Sequence, residues 1–293
     1  MRKIILFAAL GMTLLSSCAL FKAGDLASEA FMREADPALA ESAMPTMIKA
    51  SEALLLASPG KESMALTTAS LYVMYANAFL DGEAFLLPDE AYEQRLTLSR
   101  RAAALYLRAT TLLIPFIERR APLAFDTRSS GMGEHGDALS RFNRKDVPLL
   151  YWTASAILAA FASDPMNFDN AARVSGALAL FEHARSLDPD WNGGSLQELA
   201  ITIYGSLPAD LGGDVEKAEE AYVLSLASTG SSSPGAFVAY AASVCVSRAD
   251  RDGFSASLNE ALKLADRPES ALMDSLARRK ARRLLNDIDL YFF

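Results

Sequence analysis

Gly131-x-Gly133-x-x-Gly136 has the spacing with which a backbone cradles a dinucleotide pyrophosphate, and Ser58-Pro59-Gly60-Lys61 has the spacing of a serine nucleophile and its lysine base. Both fail on context. The glycines follow the polar stretch Phe125 to Ser130, where the fingerprint needs a β-strand. Ser58 and Lys61 straddle a Pro-Gly turn, where acyl-enzyme chemistry needs one helical turn. No G-x-S-x-G, H-E-x-x-H or paired-cysteine motif is present. The two histidines, His135 and His183, are too few for a histidine-built metal site. At helical spacing His183 meets Ala179, Leu180, Ser186 and Leu187, so no carboxylate stands one turn away to orient it. It reads as a partly exposed structural residue, and His135 as a solvated one. Asp188, Asp190 and the run from Asp210 to Asp214 offer oxygen donors near glycines, as calcium would need, but helix stops and N-caps account for Asp188 and Asp214 without an ion. No nucleophile, base and orienter can be assembled, so the sequence points away from an enzyme, with no metal and no cofactor expected.

Other residues are better suited to binding than to reaction. Tyr151, Trp152, Trp191 and Tyr204 fall close together in the central stretch. Large rings fill gaps between helices, and Phe181 and Tyr222 read that way. Trp152 and Tyr204 also carry an N–H and an O–H that need partners when buried, which makes the four aromatics candidates for the wall of a ligand cleft. Arg278, Arg279, Lys280, Arg282 and Arg283 form the one dense basic cluster. It reads first as a solvated face complementing a helix dipole, and second as a contact for anionic lipid head groups or an acidic partner.

The elements that must position these residues are helices. The chain has 293 residues, 51% of them hydrophobic and 22% charged, enough to bury a large core. Its Ala- and Leu-rich runs predict an all-α fold. From Leu149 to Asp214 the pattern is helix, loop, helix, loop, helix. Val147 to Ser163 contains no charged residue, and a helix apolar on every side is surrounded by other helices. It is too short and too rich in Ala and Ser to span a bilayer, and Asp164-Pro165 closes it. In the next helix Ala177, Phe181, Ala184 and Pro189 follow the spacing of the second helix of a tetratricopeptide (TPR) repeat. The small residues let a neighbour approach closely and the ring fills the groove, so this helix should be sandwiched.

Similar spacings recur at Ala43, Met47 and Ala50, at Ala102, Tyr106 and Ala109, at Ala218, Tyr222 and Ser225, and at Phe254, Leu258 and Ala261. Phe181, Tyr222 and Leu258 are 41 and 36 residues apart, longer than the roughly 34 of a regular TPR. Unequal repeats favour a solenoid closed into a compact body with an internal cleft. The expected helices run from Asp36-Pro37 to about Leu56, with Pro45 kinking or splitting it, and from Ser63 to Phe79, closed by Asp81-Gly82. The next runs from Pro88 to about Arg119 with a kink at Pro115, ahead of a loop from Ala121 to Asp146 with one turn near Ala138 to Phe142. Later ones start at Asp214, at Ser233-Pro234, at Asp252 as N-cap and at Pro268-Glu269. Cys245 lies in an uncharged segment and reads as a small buried hydrophobe.

Before all of these, Arg2-Lys3 and the apolar run Ile4 to Leu15 make a signal segment. Leu15-Ser16-Ser17-Cys18 matches the bacterial lipobox, which predicts a cleaved leader over 1–17, acyl chains such as palmitate on Cys18, a tether over 18–36 and a single TPR-like helical domain over 37–293. At about 0.8 kcal/mol per buried CH2 several acyl chains anchor stably, and Ala19 favours the outer membrane. Formal net charge is −8, and loss of Arg2 and Lys3 leaves 26 basic against 36 acidic side chains, or −10, so nucleic acid is excluded as a partner.

With the lipobox in place, Tyr151-Trp152 in an apolar helix, Ala184 to Pro189, Tyr204-Gly205-Ser206-Leu207-Pro208 with Gly212-Gly213-Asp214, Tyr240-Ala241, and Ala281, Leu284-Leu285 and Phe292 together resemble the T-component of tripartite ATP-independent periplasmic (TRAP) transporters. The resemblance implies an all-α, TPR-like lipoprotein on the periplasmic side of the envelope. It further implies a homo-oligomer, a trimer among the candidates, that associates with the substrate-binding P-component and has an apolar cleft or pore through each subunit. A general TPR scaffold for protein interactions in the bacterial envelope is the alternative. The loop from Ala121 to Asp146 departs from the family pattern.

Overall fold

Asp36 sets the start of the first long helix: its Oδ1 accepts from the Ala38 N–H at 2.9 Å, and Pro37 takes the first helical position, where no N–H is required. The computed structural model describes residues 29–122 and 138–292. Cys18 with its leader, most of the tether, and the loop holding Gly131, Gly133, His135 and Gly136 lie outside the described residues.

The chain forms α1 (Pro37–Ala57), α2 (Glu62–Tyr75), α3 (Tyr92–Arg120), α4 (Val147–Ser163), α5 (Val174–Leu187), α6 (Trp191–Ser206), α7 (Val215–Thr229), α8 (Pro234–Ala239), α9 (Arg251–Lys263) and α10 (Ala271–Asn286). A π turn, Ala76–Asp81, carries α2 on into Gly82–Leu86, and a second, Tyr240–Cys245, prolongs α8. Among the described residues there is no strand, and the fold is all-α as the composition predicts. Pro45 and Pro115 both sit inside continuous helices.

Three boundaries differ from the sequence reading. Asp81-Gly82 does not end α2. Gly82 keeps helical angles (φ −59°, ψ −46°), and Asp81, on the π turn, accepts from the hydroxyl of fully buried Tyr106 at 2.7 Å. A tertiary partner for a buried phenol overrides a local stop signal. The N-cap of α9 is Asp250, not Asp252: Ala249 turns left-handed (φ 53°), and the Gly253 N–H donates to Asp250 Oδ1 at 2.9 Å. Helix α10 starts at Ala271, because Arg267 is fastened by backbone and side chain to Asp274 and holds Pro268-Glu269 in a turn outside the helix. Asp214 caps α7 as expected, accepting from Lys217 N–H at 3.1 Å.

Helix α4 packs on α2, α3 and α5, which accounts for its all-round apolarity. In α5, Ala177, Phe181 and Ala184 are wholly buried. One face of α5 meets α4. The other is covered by Gly212 against Leu178 and by α6, which Glu182 and Arg185 reach through Tyr204 and Gln197.

Two apolar clusters result. The larger spans α1 to α7 and the second lies among α8, α9 and α10, with Phe237, Cys245, Phe254 and Leu258 at its centre. Helix α10 serves both: Leu272 and Leu276 pack on the first, Ala281 and Leu284 on the second. It also touches α1 and the Gly82–Leu86 helix, with an Arg279 to Glu83 ion pair at 2.9 Å, so the last helix closes back on the first hairpin.

Phe181→Ala removes a fully buried ring from α5. Urea unfolding should show a loss of about 3–5 kcal/mol, whereas Phe168→Ser, at a position 87% exposed, should leave the midpoint unchanged.

Candidate functional site

Tyr151 and Trp152 are consecutive on α4, and Trp191 stands at the entry to α6. The Tyr151 ring lies 4.7 Å from Trp191 at 50° and 5.0 Å from Trp152 at 81°, an edge-to-face contact. All three are partly exposed while resting on the larger core. Helices α4 and α6 make little backbone contact, so these rings link the two helices. Trp191 is set by the left-handed run that follows it, Asn192, Gly193 and Gly194, with φ of 51°, 65° and 84°. Tyr204 makes no ring contact with the other three among the described residues. It is buried, its hydroxyl donates to Glu182, and its ring lies 5.9 Å from the Arg185 guanidinium and 5.5 Å from the Lys217 ammonium. Burial, then the Glu182 carboxylate, pushes its phenol up.

Glu198, further along α6, adds charge beside the rings. It accepts from Ser233 Oγ at 2.8 Å, just before α8, and lies so close to Gly235 that a Cβ there would come within 2.1 Å of Glu198 Oε1. Burial raises its carboxyl pKa, against the Ser233 hydrogen bond and the Arg267 charge. Burial, then the Glu198 charge, pushes the Tyr151 phenol up to about 12. Arg267 completes the network. Its Nη2 donates to Asp274 Oδ1 at 2.6 Å and to Ser233 Oγ at 3.3 Å, and its backbone N–H donates to Asp274 Oδ2 at 2.8 Å. Asp274 is 1% exposed and Arg267 18%, so this ion pair is shielded from solvent. It locks the α9–α10 turn against the start of α8 and, through Ser233, against α6. Sequence reasoning did not single out Glu198, Arg267 or Asp274. A glutamate within the apolar run Leu196 to Tyr204 was the available signal, since a charge in such a run needs a partner from elsewhere.

The basic cluster does not form one solvated face, which corrects the first sequence reading. Arg278 pairs with Asp266 and donates to the Leu264 carbonyl, Arg279 pairs with Glu83, and Arg283 with Asp287. Arg282 and Lys280 are exposed and have no ion pair among the described residues, and the Lys280 ammonium lies 5.4 Å from the centre of the Phe85 ring. His183 is partly exposed, with Nε2 buried and without a hydrogen-bond partner among the described residues. Cys245 is buried, and burial first, then Asp250 and Glu219, pushes its thiol up to about 12, so it is protonated at neutral pH. Asp188 and Asp190 have tasks other than holding an ion: Asp188 takes a two-pronged contact from Arg144, and Asp190 accepts from Ser228. Among the described residues no group of three or more His, Cys, Asp and Glu is arranged to hold a metal.

Two surface recesses lie elsewhere. One of about 380 Å³ is bounded by Leu55, Leu56, Pro59, Leu112 and Pro115, and one of about 230 Å³ by Tyr75, Phe79, Glu83 and Arg101.

Packed helices closed back by the last one, with a cluster of aromatic rings on the larger core and a shielded ion pair where α10 joins α8, make an all-α protein. The chain matches the TRAP transporter T-component family over residues 33–292 and belongs to that family. It is also 31% identical over 267 residues to an uncharacterized protein of Treponema pallidum (strain Nichols), covering 89% of this chain and 82% of the relative. Membership makes it an accessory component of a TRAP transporter, a bacterial envelope system, in a family not known for enzymes.

The raised Glu198 carboxyl gives a signed pH effect. Above the unfolded value near 4.5 the native state holds this proton more tightly than the unfolded state, so stability falls as pH rises through that value to the folded one. Glu198→Gln removes the term. Urea midpoints between pH 4.5 and 8 should show the variant gaining on the parent as pH rises; parallel curves would refute it.

Proposed function

We propose that this chain is the lipid-anchored, periplasmic T-component that associates with the substrate-binding P-component of a TRAP transporter and conveys a small, partly apolar ligand through an internal cleft. The observation that carries this reading is the ring cluster of Tyr151, Trp152 and Trp191: large, partly exposed aromatics that link α4 to the start of α6. Family membership supports association with other TRAP components, and the lipobox at Cys18 supports anchoring at the periplasmic side of the membrane. Ion pairs from Arg278, Arg279 and Arg283 to the chain's own carboxylates leave Lys280 and Arg282 as the members of the basic cluster best placed for an outside acidic group.

Two experiments test the proposal. The chain carries a C-terminal tag, is expressed in its own host and is purified with its membrane anchor. A P-component should co-purify, and its repeated absence would count decisively against the partnership. The chain has two tryptophans, and both sit in the ring cluster, so tryptophan emission reports on that place alone. The neutral apolar probe N-phenyl-1-naphthylamine should quench it saturably, and Trp152→Ala should abolish most of that quenching. Quenching that is linear in probe, or unchanged in the variant, discards the cleft.

A further inference from the structure

We propose that the recess between α1 and α3 receives the exposed face of α7 from a second copy of this chain, so that copies join through two unlike surfaces. Helices α1 and α3 both pack on α2 and make little backbone contact with each other, and the recess of about 380 Å³ opens between them near the α1–α2 turn. Its walls include Leu55, Leu56, Leu112, Pro115 and Phe116, and Leu56 is 83% exposed. Two arginines flank it. The Arg119 guanidinium is folded back 4.3 Å from the centre of the Phe116 ring, with Nε donating to the Pro115 carbonyl at 3.2 Å. Arg108, one turn before Leu112, lies beside Tyr72 and Glu52. Neither arginine has an ion pair among the described residues, and Glu52 is already held by Lys49 and Tyr72. From Gln94 to Ile117 α3 carries Arg95, Arg100, Arg101 and Arg108 and no acidic residue, in a chain of formal charge −8. Of these four only Arg95 has an ion pair among the described residues, with Asp89. This edge of the protein is both apolar and basic.

Helix α7 carries the complement. Glu216, Glu220, Val223, Leu224 and Ala227 recur at intervals of three and four, so they share a face, and all five are exposed. The opposite side of the helix buries Ala218, Ala221 and Ser225, and the helix packs chiefly on α6. Glu220 has no ion pair among the described residues. Glu216 reaches Arg248 only at 3.4 Å, because that guanidinium lies closer to Glu219, at 2.6 Å. Lys217, the cation nearby in sequence, is paired with Asp214 at 3.7 Å. The outward face of α7 is therefore acidic over its first turns and apolar beyond them.

The two faces match in spacing as well as in sign. Glu220 stands one turn from Val223 and Leu224, and Arg108 and Arg119 each stand one turn from a wall residue of the recess, Leu112 and Pro115. Seating Val223 and Leu224 among Leu55, Leu56 and Leu112 brings a carboxylate within reach of a guanidinium, and arginine is well suited to hold one. A flat bilayer would meet the rim and leave the hollow unfilled. A contact between unlike faces is heterologous: each copy in a pair keeps one unused face, and a ring of copies uses them all.

The test uses the full chain, extracted in detergent and followed by sedimentation. The parent should be oligomeric. Arg108→Glu with Arg119→Glu, and separately Glu216→Arg with Glu220→Arg, should each weaken self-association at least tenfold while the melting temperature stays unchanged, since all four side chains are exposed. Mixed, the two double variants should associate with each other, because each reverses the charge that the other reverses. A second measurement is independent of charge. Leu56→Cys copies and Val223→Cys copies, co-expressed under different tags and mildly oxidised in the membrane, should form a mixed disulfide; Cys245 is buried and does not compete. Phe168→Cys in place of Val223→Cys, at an equally open position on the α4–α5 connection, should not. A monomeric parent, association that survives both double variants, double variants that do not pair on mixing, or a Leu56→Cys cross-link no stronger with Val223→Cys than with Phe168→Cys overturns the proposal. So does a loss confined to capture of another protein, or to binding of phosphatidylglycerol vesicles, with sedimentation unchanged, which would give the recess to a different occupant.

Discussion

Helix α10 must satisfy two apolar clusters at once, and the closed form of the protein depends on it. One side of the helix gives Leu272 and Leu276 to the core built by the first hairpins, and the other gives Ala281 and Leu284 to the core built by α8 and α9. A stack of helical hairpins has no intrinsic reason to return on itself, because each layer needs only its neighbours. Here the return is fixed chemically. The Arg267–Asp274 pair pins the start of α10 to the turn before it, Ser233 ties that turn to Glu198 on α6, and Arg279 reaches across to Glu83. A shielded pair of this kind adds little net stability, since each charge gives up its hydration, but it penalises every arrangement that separates the partners. Its contribution is to select one way of closing.

Much of the fold was legible because helix signals are local. Asp36-Pro37, Asp214 and Ser233-Pro234 mark helix starts by chemistry that acts over two or three residues. The uncharged run Val147 to Ser163 announced a surrounded helix, and Ala177, Phe181 and Ala184 announced close packing on α5. Errors came where a distant partner outweighed a local preference. Asp81-Gly82 has the composition of a stop, but Tyr106 on α3 gives Asp81 another use. Asp252 has the composition of a cap, but the left-handed Ala249 brings Asp250 into place two residues earlier.

The site was legible by residue type and much less by position. Tyr151, Trp152 and Trp191 stood out as rings near one another in sequence, and they meet in space because α4 and α6 bring them there. Tyr204 stood out for the same reason, but its hydroxyl already has Glu182 one helix away. Beyond the lone charge of Glu198 in an apolar run, the polar network left no mark in the sequence, since Glu198, Ser233, Arg267 and Asp274 come from four separate segments and no spacing rule links them. The basic run at 278–283 misled in the opposite sense. Adjacent charges suggested one solvated surface, whereas a helix points successive residues in different directions, and only the Arg283 to Asp287 pair could be read from the run itself.

The two π turns, Ala76–Asp81 and Tyr240–Cys245, each re-aim the helix that contains them. One inserted residue widens a turn and rotates everything beyond it by about 100°, without a loop and without breaking the rod. The early part of α2 can thus lie against α3 and α4 while Gly82–Leu86 presents Phe85 to the far cluster, and α8 changes neighbours in the same manner between Phe237 and Ser243. One rigid helix thus serves two neighbourhoods without a break in its backbone.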